Sequence, residues 1–214
     1  ICCCMCQLRF CSSFSLQIIF VEVHKIQAVA LQYSEGNGES CHMTDTFVEK
    51  KIWEEDFCSY IIELAKMKTW AEGYAYSDGI RSCKNTELYD PEITQPVYDF
   101  VLDNNIWDFE LLAYAPSVQI LRYDPGDFYL RHTDWSLNNN RARKLSISIQ
   151  LSGTLDYDGC DLLIHDGPHE PWIAHRSAGM ATLFPSWTLH EVDKCTSGER
   201  WVAVAWFLGP QGYR

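Results

Sequence analysis

The chain has 214 residues, 47% of them hydrophobic and 14% aromatic, which is ample apolar material for one packed domain and argues against wholesale disorder. Its formal net charge of −12 is spread along the chain without blocks. Non-specific binding to nucleic acid or to an anionic membrane surface, both of which need a basic face, is disfavoured.

The first 42 residues stand apart. Six of the ten cysteines fall at or before Cys41, namely Cys2, Cys3, Cys4, Cys6, Cys11 and Cys41. They include no partnered C-x-x-C with a histidine at ligand spacing, and no regular spacing that would mark a disulfide framework. The apolar stretch FSLQIIFVEVHKIQAVAL is interrupted by Glu22, His24 and Lys25, so no run of about 20 apolar residues can span a bilayer. It also lacks the basic n-region and cleavage site of a signal peptide. After GNGES, Met43 opens MTDTFVEKKIWEEDF, which reads like an ordinary protein start. The expectation is an N-terminal extension over 1–42, a non-functional leader or gene-model artefact, followed by the functional domain over 43–214. With no targeting signal and scattered cysteines, a reducing cytoplasm is the expected location.

Next come helical signals. WEEDFCSYIIELAKM (53–67) sets Trp53, Phe57, Tyr60, Ile61 and Leu64 at helical spacing behind a first turn rich in acids. GYAYSDGIRSCKNTELYDPE (73–92) reads as a mobile loop holding one strand at most. TQPVYDFVLDNN predicts a second helix, with Thr94 as cap, Pro96 in the first turn, and Val97, Phe100 and Val101 on one face. These elements make up a helical support over 50–106.

After Trp107 the texture changes to short runs closed by turn residues: DFELLAYA, SVQILRY, DFYLRHTD, KLSISIQL, CDLLIH, PWIAH, GMATLF, WTLHEV and RWVAVAWFL. Eight or nine short strands with frequent turns predict a mostly β fold with flanking helices (α+β). The expected architecture is a jelly roll (a cupin-like double-stranded β-helix) over 107–210, with the helices packed on one face.

The chemistry begins at FYLRHTDW (128–135). With 7 His in the chain, about 0.5 H-x-D triplets are expected by chance, so His132 and Asp134 alone decide nothing. In a strand, residues two apart share a side, so these two face together and Tyr129, Thr133 and Trp135 face away, as structure or rim. In WTLHEV the same alternation turns Thr188, His190 and Val192 inward. Two imidazoles and a carboxylate on one face of a metal leave three positions open, the facial set favoured by non-haem Fe(II), which admits a bidentate co-substrate and oxygen. Ten residues beyond His190, Arg200 shares a face with Val202, Val204 and Trp206. An arginine on an apolar inward face calls for an anion, and a guanidinium fork matches a carboxylate.

Over residues 107–210 the pattern resembles the iron(II)- and 2-oxoglutarate-dependent dioxygenases, in the prolyl 4-hydroxylase-like branch that includes the PKHD-type hydroxylases. YDPGDFYLRHTD, RKLSISIQLS with YDGCDLLI, and GMATLFPSWTLHEVDKCTSGERWVAVAWFLG carry the resemblance. It implies that His132, Asp134 and His190 bind iron and that Arg200 holds the distal carboxylate of 2-oxoglutarate. Tyr123 would help as a hydroxyl donor, and Tyr129 and Gln119 are further candidates for the pocket lining. It also implies Fe(II), 2-oxoglutarate and O2 as the cofactor set, with ascorbate a candidate reductant, and hydroxylation of an unactivated C–H with release of succinate and CO2. A prolyl residue in a peptide or protein is the leading substrate. A free amino acid or other small metabolite is the alternative, as is a non-catalytic cupin-like metal- or ligand-binding module, which would have no need of Arg200.

The chain departs from the pattern in two places. Ile149 stands where some relatives carry a co-substrate tyrosine, and Cys160 stands where a Gly-Gly pair is commoner. Trp206 occupies the place of a second arginine found in nucleic-acid dealkylases, so nucleic acid is not an expected partner, and neither is a membrane. Leu121, Ile147, Ile149 and Leu163 are expected to exclude water from the barrel. The stretches 73–92 and 138–140 are candidate lids, and Trp135 is a candidate border of the substrate. His165, Asp166 and His169 read as a solvated turn, and His175 as a surface residue.

Overall fold

The helices form where the apolar spacing calls for them, and their caps set the ends. In the computed structural model, which describes residues 31–34, 40–43, 45–72, 79–112, 116–138 and 141–211, α1 spans Glu55–Lys66 and buries Cys58, Ile61 and Ala65. Glu55 and Asp56 sit in its first turn, against the positive end of the helix dipole. α2 spans Pro91–Asp103 and begins earlier than the sequence predicts. Its cap is Asp90, not Thr94: the Asp90 carboxylate accepts from the Glu92 backbone N–H at 2.9 Å, and Pro91 follows where its missing N–H costs nothing. Thr94 is instead buried within the helix, and Pro96 is tolerated in its body.

The strands, in chain order, are β1 (Leu31–Ser34), β2 (Ser40–Met43), β3 (Val48–Lys51), β4 (Ala71–Glu72), β5 (Arg81–Ser82) and β6 (Lys84–Leu88), then β7 (Val118–Tyr123), β8 (Phe128–His132), β9 (Leu137–Asn138), β10 (Arg141–Gln150), β11 (Tyr157–Gly159) and β12 (Leu162–His165). They close with β13 (Trp172–Ile173), β14 (Met180–Pro185), β15 (Leu189–Val192), β16 (Cys195–Gly198) and β17 (Arg200–Pro210). The large sheet runs β1-β2-β3-β14-β10-β17-β7-β6-β4 with β9 on β10, and the smaller runs β13-β12-β15-β8-β5, beside a β11-β16 pair. The pairings are antiparallel. This is the expected jelly roll.

Alternation on the large sheet divides the protein into two cores. Trp201, Ala203, Ala205 and Phe207 of β17, with Val118 and Ile120 of β7 and Leu145, Ile147 and Ile149 of β10, pack against Cys58, Ile61, Val97 and Phe100 of the helices. The opposite residues, Leu121, Tyr123 and Val202, meet Leu162, Ile164 and Val192 of the small sheet. Of the four apolar residues expected inside the barrel, Leu121 is there. Ile147 and Ile149 belong to the helix-side core, and Leu163 is half-buried, paired with the exposed Ile173. Period 2 along β10 hands the inward places to Ser146, Ser148 and Gln150.

Two other expectations change. Residues 108–112 form no strand: Asp108 has φ 53, and Phe109 and Leu111 pack on the helix-side core while the Leu112 N–H donates to the Leu208 carbonyl at 2.8 Å. Residues 81–88 are β5 and β6 rather than a loop, because polar KNTEL pairs with β7 on one side and β4 on the other. Of the other expected lid, Asn138 lies in β9, whereas 73–78, 139 and 140 fall outside the described residues. The expected N-terminal extension falls mostly outside them as well, and β2, which pairs with β3, crosses its boundary near Met43.

Gly179 ties the helix side to the sheet. Its N–H donates to the Gln150 carbonyl at 2.8 Å and its carbonyl accepts from the Ile52 N–H at 2.9 Å. It sits at φ +83, and a Cβ there would collide with the Trp53 carbonyl oxygen. Gly179→Ala is expected to cost about 2–4 kcal/mol by combined strain and collision. Thermal unfolding followed by circular dichroism should show Tm lowered by roughly 5–15 °C.

Candidate active site

The β8–β15 register sets His132 directly opposite His190. Each imidazole Nδ1 donates to the backbone carbonyl two residues earlier, His132 to Leu130 at 2.8 Å and His190 to Thr188 at 2.9 Å. Those bonds fix the ring orientations and leave each Nε2 with its lone pair free. His132 Nε2 lies 3.7 Å from Asp134 Oδ1, and His190 Nε2 lies 3.6 Å from Asp134 Oδ2. One ligand atom from each of the three residues falls within 4.8 Å of the others, a grouping that could hold a metal ion.

Asp134 is not in the strand. β8 ends at His132, so the carboxylate is aimed by its contacts rather than by strand alternation. The side chains of Trp206 and Ser146 hydrogen-bond it. Burial alone would raise its carboxyl, but His190, these two donors and His132 outweigh that and hold it below the ordinary carboxylate range. Burial, reinforced by His190, pushes the His132 imidazole down to about 4. At neutral pH it is therefore an uncharged donor, as a metal ligand must be.

Arg200 opens into the same cavity, which has a volume of about 420 Å³. The residue is 4% exposed, and no carboxylate among the described residues lies within ion-pair distance of it. Its Nε donates to Gln150 Oε1 at 3.0 Å, a contact with a neutral amide that orients the guanidinium without compensating its charge. Tyr123 is its cross-strand neighbour, with the guanidinium 5.7 Å from the ring centroid. Burial pushes the Tyr123 phenol well above its ordinary value, so it keeps its proton and can donate. Gln119 lines the cavity too.

Tyr129 corrects the alternation argument. The β8–β15 ladder shifts register between His190 and Val192, pairing Val192 with Tyr129. The irregularity turns Tyr129 to the same side as His132, and their rings stack with centroids 3.5 Å apart and planes at 15°. Tyr129 thus lines the cavity, whereas Trp135 is exposed and does not. Ile149 belongs to the helix-side core, whereas its neighbour Gln150 accepts from Arg200. Cys160 follows Gly159, and both have left-handed backbones, φ 60 and φ 63, a geometry that explains a preference for glycine there.

His165 closes β12 and bonds Glu191 at 2.8 Å, and it forms no metal-binding group with Asp166 and His169 among the described residues. Sequence reasoning missed Gln150, Arg81 and Arg143. Gln150 was findable as the third polar residue in the alternation Ser146, Ser148, Gln150. Arg81 lay in a stretch read as a loop, and Arg143 sits at the β10 register shift, where alternation fails.

Two imidazoles and a carboxylate fit non-haem Fe(II) by donor chemistry, with open positions on the cavity side. A buried guanidinium with no carboxylate partner among the described residues fits the carboxylate of a co-substrate. Comparison with known proteins points the same way. Residues 118–208 match the model of the 2OG-Fe(II) oxygenase superfamily. A PKHD-type hydroxylase of Sphingopyxis alaskensis is 30% identical over 152 residues, covering 66% of this chain and 69% of that protein. A PKHD-type hydroxylase of a Picosynechococcus strain is 40% identical over 85 residues, 40% of this chain and 38% of the relative, so the chain spans less than half the length of that protein. Among solved structures, a Trichoplax adhaerens prolyl hydroxylase, in complex with a peptide fragment of the hypoxia inducible factor oxygen degradation domain, superposes with TM-score 0.61 at 16% identity, covering 77% of this chain and 84% of that one. That likeness concerns the fold. The chain belongs to the 2OG-Fe(II) oxygenase superfamily, in its PKHD-type branch.

Proposed function

We propose that this chain is a 2-oxoglutarate-dependent hydroxylase acting on an unactivated C–H, with a prolyl residue of a peptide or protein as substrate. The observation that carries the reading is the triad and the uncompensated Arg200 opening into one cavity. His132, Asp134 and His190 would hold Fe(II) through Nε2, a carboxylate oxygen and Nε2. When bound, Fe(II) with 2-oxoglutarate and O2 supplies the oxidising chemistry that hydroxylates carbon and yields succinate and CO2. Arg200 would grip the distal carboxylate with its Nη atoms, since Gln150 occupies Nε, and Tyr123 would add a neutral donor. Leu121, Leu162, Val192 and Val202 line the walls and keep water from the reacting carbon. The peptide assignment is supported by the branch the chain belongs to and by the peptide complex of the Trichoplax protein.

Succinate release from 2-oxoglutarate with Fe(II) and ascorbate is expected in the wild type. His132→Ala should lose it by ~100-fold or more, since even indirect support of a ligand is worth ~10–100-fold. Arg200→Met should raise the KM for 2-oxoglutarate by roughly 10–100-fold through loss of a charge-assisted pair, with a smaller change in kcat. Wild type that neither releases succinate nor binds 2-oxoglutarate would sink the reading.

Binding can also be followed without turnover. At about 100 times its Kd, Mn(II) should stabilise the fold by ~2.7 kcal/mol, raising Tm by roughly 5–10 °C. His190→Ala should abolish the shift, and an undiminished shift in that variant would place the metal elsewhere.

A further inference from the structure

A second cavity arginine has no carboxylate within ion-pair distance among the described residues. Arg81, on β5, pairs with Tyr129 of β8 and lines the cavity. Its Nη2 is buried without a hydrogen-bond partner. Its Nε donates to Cys83 Sγ at 3.1 Å, and its guanidinium lies 5.0 Å from the centroid of the Tyr129 ring, the ring that stacks on His132. Neither neighbour is a carboxylate: one is a thiol and the other a phenol. No carboxylate among the described residues lies within ion-pair distance of Arg81. Arg143 of β10 reaches the same cavity, its guanidinium 4.1 Å from the Trp206 ring centroid. Glu87 is the acid that shares the cavity wall with Asp134, and it is engaged by the Tyr89 hydroxyl.

A desolvated guanidinium with an orphan N–H is costly unless a ligand supplies the anion. In the proposed reaction the two carboxylates of 2-oxoglutarate are taken by the metal and by Arg200, so Arg81 is surplus to the co-substrate. Its place is one aromatic ring from His132, where a substrate presented to the triad would lie. We infer that Arg81, assisted by Arg143, is a specificity-determining residue that reads a carboxylate carried by the substrate close to the carbon that is hydroxylated. Two sources offer that group: an acidic side chain flanking the target residue of a peptide, or the α-carboxylate of a free amino acid.

The inference rests on the hydroxylase reading for what lies beside Arg81, and a titration without turnover separates the two. Protein loaded with Mn(II) and 2-oxoglutarate is titrated by calorimetry with two matched pairs. One is acetyl-Glu-Pro-Glu-amide against acetyl-Gln-Pro-Gln-amide, and the other is L-proline against L-prolinamide. The acidic member of one pair should bind roughly 10–100-fold more tightly than its amide, as a charge-assisted bidentate contact gives. The pair that responds identifies the source. In Arg81→Gln the preference should collapse, while the affinity for 2-oxoglutarate stays as in the wild type. Arg81→Lys, which keeps charge but loses the fork, should retain part of it, and Arg143→Gln should lower it to an intermediate value, which decides the matter should Arg81→Gln not fold.

Amides that bind as well as the acids in the wild type, or no binding by either member of either pair, would overturn the inference. So would a preference that survives in Arg81→Gln. Lost 2-oxoglutarate affinity in that variant would assign Arg81 to the co-substrate and overturn it too. Wild type that fails to bind 2-oxoglutarate sinks the hydroxylase reading instead, and the acid–amide comparison then still decides the role of Arg81.

Discussion

The strict alternation of β17 is the constraint on which the rest of the structure depends. Arg200–Val204 pair with β7 and Val202–Pro210 with β10, so over Arg200–Phe207 alternate side chains must face the helices and the cavity. Trp201, Ala203, Ala205 and Phe207 anchor α1 and α2, and Arg200, Val202, Val204 and Trp206 furnish the site. A one-residue slip would bury Arg200 against Ile61 and Val97 and turn Trp201 into the cavity. The apolar face thus holds the charged one in place: the packing that stabilises the protein is also what keeps a guanidinium buried with no carboxylate among the described residues at ion-pair distance.

The small sheet supplies the other half of the site, and it does so with less regular structure. β8 and β15 are short, their ladder is irregular, and Asp134 lies past the end of β8. Side-chain contacts take over where the ladder stops. Each histidine is locked by the carbonyl two residues before it, while Asp134 is held by Ser146 and Trp206 from the opposite sheet. The triad is therefore carried by the small sheet and braced by the large one, and its geometry reports how the two are spaced. A change in the packing of Phe184, whose ring is 4.8 Å from that of His190, would be felt at the ligand atoms without touching them.

Much of this was legible in the sequence, because period 2 is read directly from residues such as those of RWVAVAWFL and WTLHEV. Both inward faces were as expected, and the jelly roll followed from the spacing of turns. What stayed hidden breaks the period. The irregularity in β8 that brings Tyr129 beside His132 leaves no mark in FYLRH, since a bulge is settled by the partner strand. KNTEL is polar enough to read as loop, yet it forms a strand because β7 offers it a ladder and its Thr86 and Leu88 are buried. DFELL has the apolar alternation of a strand, but its side chains find the core without a ladder. Arg81 was missed for the first of these last two reasons: a residue on a segment read as loop has no assignable face.

Charge separates the interior from the exterior in a way composition conceals. The chain carries −12 overall, yet the cavity presents Arg81, Arg143 and Arg200 against Asp134 and Glu87. At physiological ionic strength exposed charges are screened beyond about 8 Å, so the acidic exterior does little to a small dianion already at the mouth. Inside, where the walls are low in dielectric, the three guanidiniums act at close range and with little screening. The same arrangement therefore favours a compact carboxylate inside the cavity, and it does so by placing the arginines inward rather than by a steric gate.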